Sequence, residues 1–135
     1  MQILHYLRRH WKTTIWTIII AILLFTPSKN LPNFSFLNFK YADKLVHAFL
    51  FLCLEYLLLL EYNVSIHHLK VKKIFLLSVV ALIYGGSSEI IQLFFINGRS
   101  GSLFDFFADC IGILAAFSIY FLYNRFRNAS PSLDS

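Results

Sequence analysis

Eight polar or ionisable side chains fall into four short groups: Asp43, Lys44 and His47; Glu89 and Gln92; Arg99; and Asp105 and Asp109. Asp43 and His47, like Asp105 and Asp109, are four residues apart, and Glu89 and Gln92 are three apart. These are the spacings that put two side chains on one face of a helix. An imidazole next to a carboxylate is what a general base requires, which makes His47 and Glu89 the candidate catalytic residues. Arg99 has the planar fork that grips carboxylate or phosphate with two hydrogen bonds, or that steadies developing negative charge. His47, Glu89, Asp105 and Asp109 supply enough donors for a divalent cation, although their spacing follows no diagnostic metal motif, and no nucleophile elbow accompanies them.

The elements that must position these groups are apolar. Four segments, near 11–27, 43–62, 73–96 and 103–123, have the length and composition to cross a hydrocarbon core of about 30 Å. The expected fold is therefore all-α, a four-transmembrane-helix bundle forming a single domain over 1–135, with a flexible tail at 127–135. The first segment follows Arg8, Arg9 and Lys12 in the manner of a signal peptide, but "TPSKNLPNFSF" after it offers no small-residue cleavage site, so an uncleaved helix is expected. Pro27 and Pro32 end that helix and open a loop rich in Phe and Asn, suited to the headgroup region.

Composition agrees with a membrane setting. Hydrophobic residues make up 58% of the chain and charged residues 14%, well below the roughly 25% of soluble domains. The net charge of +5 comes from basic residues that flank apolar runs, which argues against nucleic acid as a partner. Cys53 and Cys110 lie inside such runs, so neither a disulfide nor a zinc site is expected of them. With the N-terminus inside, eight Lys and Arg residues fall on the cytoplasmic side and four outside, which puts both termini in the cytoplasm. All eight polar residues then gather at the outer end of the bundle, with Arg99 as counterion for some of Glu89, Asp105 and Asp109.

Several of these residues also have plain structural uses. Asp43 and Lys44 suit the start of a helix near the interface. Ser102 with Asp105 resembles a capping box in which Asp replaces Glu. Gly98 and Gly101 suit a tight turn, and Gly85, Gly86, Ser87 and Ser88, with Gly112, Ala115 and Ala116, suit close helix packing. Glu61 is expected at the cytoplasmic interface, whereas Glu55 needs an internal partner that the sequence does not identify. His67 and His68, with Lys70, Lys72 and Lys73, suit contact with anionic lipid. Glu89 has no such use, because it lies about 10 Å inside the end of its helix, where an unpaired charge is expensive.

The order "DKLVHAFLF", "SSEIIQLFF" and "GRSGSLFDFFADCIG" resembles the VanZ-like family of small bacterial membrane proteins, named for a member associated with resistance to the glycopeptide teicoplanin. The family pattern runs Asp-Lys-x-x-His, Glu-x-x-Gln, Arg and Asp-x-x-x-Asn-x-x-Gly. Here it falls on Asp43, Lys44 and His47; Glu89 and Gln92; Arg99; and Asp105 and Gly112, across about residues 41–116. Asp109 stands where the family commonly has Asn. The added carboxylate must either share a proton with Asp105 or meet a cation, whether Arg99, His47 or a metal ion.

The resemblance implies a bacterial cytoplasmic membrane protein linked to antibiotic resistance or envelope homeostasis. Three functions fit the residues. One is an outward-facing polar pocket, lined by Asp43, Lys44, His47, Glu89, Gln92, Arg99, Asp105 and Asp109, that binds an envelope lipid, cell-wall precursor or lipoglycopeptide. Another is a membrane enzyme acting on a lipid-linked substrate with a His or Glu base, with or without a divalent cation at the Asp/Glu/His cluster. The last is a structural or partner-binding bundle in which the polar groups act as interhelical glue. A transporter fits poorly, since no repeated pattern supports alternating access.

Overall fold

The computed structural model describes residues 10–27, 41–66, 71–96 and 101–129, and these are helical apart from short connecting stretches. Four helices follow one another: α1 (Trp11–Phe25), α2 (Ala42–Ile66), α3 (Val71–Phe95) and α4 (Leu103–Ala129). Each stands where an apolar segment is expected, and no strand occurs among the described residues. α1 stops at Phe25 because Thr26, the residue before Pro27, is held extended at φ −74°, ψ 126°. α4 continues through Ala129, so it includes residues 127–129 of the expected tail, while 130–135 lie outside the described residues. No Pro or Gly interrupts that stretch, and the next helix-breaking residue in sequence is Pro131.

Ala42–Tyr62, Val71–Phe95 and Leu103–Phe126 are long and apolar enough to cross a membrane. α1 is equally apolar but has 15 residues, about 22 Å of helix at 1.5 Å per residue. Polarity is arranged as lipid demands. Ile18, Ile22, Phe75, Ile83, Phe94, Phe104, Ile111 and Leu114 are exposed, whereas His47, Glu55, Glu89, Asp105 and Asp109 are buried. In water this would be the inverse of a stable fold; in hydrocarbon it leaves apolar groups facing lipid and polar groups facing one another.

α2 and α4 form the most extensive helix pair. Gly112 is the reason they come so close: a Cβ there would land on the Ala48 carbonyl oxygen and lie 2.9 Å from the Leu52 amide nitrogen. Ile20, Leu24, Leu50, Phe51, Leu54, Ala81 and Ile113 form the larger buried cluster, and Leu59, Ile74, Leu77 and Tyr120 a second. Polar contacts along its middle also tie α1 to its neighbours. Trp16 Nε1 donates to the Leu50 carbonyl at 3.0 Å, and the Tyr84 hydroxyl donates to the Thr17 carbonyl at 3.0 Å.

Candidate functional site

The helices alternate in direction, so α2 and α4 begin at the end of the bundle where α1 and α3 finish. That end collects the ionisable residues. His47, one turn into α2 and 1% exposed, is the centre. Its Nδ1 lies 3.0 Å from Asp109 Oδ1 of α4 and 3.4 Å from Glu89 Oε1 of α3. One donor atom from each of these three residues lies within 4.8 Å of the other two, and all three residues are buried. Asp43, His47 and Asp105 form a second set of the same compactness towards the helix starts, where Asp43 is exposed. Lys44 Nζ donates to Asp105 Oδ1 at 3.1 Å, with about a third of the lysine side chain exposed.

The backbone seats the deep group. Glu89 Oε2 accepts the Ser102 N–H at 2.9 Å, while Ser102 Oγ accepts the Phe104 N–H at 3.2 Å. Ser102 is thus the cap residue of α4, as the spacing suggests, but the reciprocal bond of the capping box comes from another helix. Glu89 takes the amide that Asp105 would take within its own turn, and this frees Asp105 for Lys44. Asp109 owes its seat to Gly85, where a Cβ would come within 2.9 Å of Asp109 Oδ2 and 3.2 Å of the Phe51 ring. Each carboxylate keeps one buried oxygen without a hydrogen bond, Glu89 Oε1 and Asp109 Oδ2.

Of the eight expected site residues, Asp43, Lys44, His47, Glu89, Asp105 and Asp109 come together. Gln92 is buried at the same end, but its Nε2 donates to the Leu24 carbonyl at 2.9 Å. That oxygen is among the last four carbonyls of α1, which have no partner within their own helix, so Gln92 closes the end of α1. Arg99, the expected counterion, lies outside the described residues, as do His67, His68 and Lys70.

A groove of about 290 Å³ runs between α3 and α4, lined by Gly86, Glu89, Ile90, Leu93, Gly101, Ser102, Leu103 and Phe106. Of its lining residues Ile90, Leu93 and Leu103 are exposed, and Glu89 and Ser102 are the polar ones. The groove is invisible in the sequence, because it depends on how α3 packs against α4.

Two further carboxylates lie elsewhere. Glu55, fully buried midway along α2, accepts from Ser78 Oγ of α3 at 2.6 Å, which supplies the partner the sequence leaves unnamed. Its Oε2 has no hydrogen bond. Glu61 accepts the Lys12 and Thr13 amides at 3.1 and 3.3 Å, and so caps α1, whose own cap residue His10 makes no side-chain cap bond.

No known protein family, characterised protein or solved structure matches this chain.

Proposed function

We propose that the chain is a VanZ-like protein of a bacterial cytoplasmic membrane that crosses it four times with both termini inside, and that its outer polar site binds an envelope lipid, lipid-linked cell-wall precursor or lipoglycopeptide. The excess of Lys and Arg on one side supports the orientation. A fourth crossing by the short α1 is compatible with local thinning of the bilayer and snorkelling of flanking residues. The observation that carries the ligand reading is the largely apolar groove whose lining includes Glu89. At 290 Å³ it is near the lower limit of the roughly 300–1,000 Å³ of small-ligand pockets, a fit for part of one acyl or polyprenyl chain. A head group next to that chain would meet Lys44, Asp43 and Asp105, with Arg99 as a further contact for phosphate or carboxylate.

Native mass spectrometry of the detergent-solubilised protein tests this reading. The wild type is expected to carry a co-purified envelope lipid that Glu89→Gln and Arg99→Ala lose while remaining helical and monodisperse. Equal lipid retention in all three proteins would remove the case for the site. Variants that instead fail to fold, with activity following the amount of protein, would favour a polar cluster acting as glue.

One observation favours a second reading, a membrane enzyme with His47 as general base. Asp109 Oδ1 sits 3.0 Å from His47 Nδ1, which is how a carboxylate orients an imidazole whose other nitrogen takes the proton. Retention of activity by His47→Ala would exclude that base.

A further inference from the structure

We infer that His47, Glu89 and Asp109 bind one divalent transition-metal cation of the Zn²⁺ type. Hydrogen bonding alone leaves the cluster short of partners. A single ring nitrogen bears at most one proton, so His47 Nδ1 can serve Asp109 or Glu89 but not both. Glu89 Oε1 and Asp109 Oδ2 remain without hydrogen bonds although their residues are 7% and 0% exposed. Buried carboxylate oxygens at this depth need a cation or a donor.

Among the described residues no lysine or arginine pairs with either carboxylate, since Lys44 is engaged by Asp105. With both carboxylates ionised and the imidazole neutral, as metal ligation requires, the three side chains carry a charge of minus two, which a single divalent ion balances.

Donor spacing agrees. An ion about 2.0–2.2 Å from its nitrogen and oxygen ligands holds neighbouring donors about 3.0 Å apart in right-angled coordination and about 3.4 Å apart in tetrahedral coordination. The two separations from His47 Nδ1 are 3.0 and 3.4 Å, and one donor from each residue falls within 4.8 Å of the others. One nitrogen and two oxygens suit Zn²⁺ or Mn²⁺ and exclude soft thiolate chemistry. The outer contacts of a built metal site are also present: the Ser102 amide holds the second oxygen of Glu89 and so fixes the ligand oxygen. Three different helices supply the ligands, so the ion would also pin the end of the bundle.

This inference does not rest on the lipid reading, and protein in detergent without added lipid separates the two. Full-length chain lacking a histidine tag is stripped with a chelator and titrated with ZnCl₂ by equilibrium dialysis and metal analysis. One Zn²⁺ per chain is expected, with affinity reduced at least about tenfold in Glu89→Gln and Asp109→Asn and retained in the control His67→Ala/His68→Ala. Substoichiometric binding by the wild type, or equal affinity in the wild type and both site variants, overturns the assignment. Should the variants fail to fold, Co²⁺ in the wild type decides. A saturable visible spectrum of four- or five-coordinate nitrogen and oxygen ligation supports the site, and the spectrum of aqueous Co²⁺ with no saturation overturns it.

Discussion

Each end of the bundle holds a glutamate that caps the start of a neighbouring helix, yet the two are differently occupied. Glu61 uses both oxygens on backbone amides of α1, those of Lys12 and Thr13, with His10 Nδ1 3.7 Å away. Its chemistry is complete as a cap. Glu89 uses one oxygen on the Ser102 amide and turns the other towards His47, where it makes no hydrogen bond. The same residue type in the same kind of place is structural at one end and half unsatisfied at the other. A buried carboxylate is therefore better judged by what each of its oxygens touches than by its depth. Glu55 stands between the two, with one oxygen on Ser78 and the other without a hydrogen bond, and among the described residues it pairs with no second titratable group.

The comparison can be broken most directly at Glu89. Glu89→Gln keeps a carbonyl oxygen for the Ser102 amide but removes the charge facing His47, so binding at the site should fall at least about tenfold with the melting temperature in detergent little changed. A large loss of melting temperature without loss of binding would make Glu89 a cap like Glu61. Glu61→Ala should do the opposite, lowering stability by about 1–2 kcal/mol through loss of the α1 cap while leaving site binding intact. Thermal unfolding alongside the binding assay reads both.

Ser102→Ala comes next, with about 1 kcal/mol lost from the cap of α4. Its backbone amide still holds Glu89, so the binding assay should move less than in Glu89→Gln. The smallest effect is expected from Ser78→Ala, about 0.6 kcal/mol, the usual worth of an interhelical hydrogen bond in a membrane. A loss of about 1–2 kcal/mol there would mean that Glu55 depends on Ser78 as strongly as α1 depends on Glu61.

Much of this architecture was legible in the sequence. The four apolar runs mark the four helices because length and hydropathy are local properties, and Thr26 before Pro27 marks the end of α1 for a local steric reason. Alternating helix direction then brings Asp43, Lys44, His47, Glu89, Asp105 and Asp109 to one end, without any knowledge of packing. Ser102 as a helix cap was equally legible, since the signal lies within four residues.

What the sequence could not supply is the partner of each oxygen. Gln92 shares a helical face with Glu89, yet its amide closes α1 at Leu24, because the rotation of α3 against α1 decides which side chain meets which helix. Glu89 displaces Asp105 from its own capping box by reaching across from another helix, and Ser78 meets Glu55 only through the register of α2 on α3. These contacts join residues 13 to 68 positions apart, and periodicity along one helix carries no information about the rotation of the next. Sequence alone thus determined the helices and the end at which their charges gather. Only tertiary packing, set by close approaches such as Gly112 on Ala48 and Gly85 on Asp109, decided which carboxylate oxygens are satisfied and which lack a hydrogen bond.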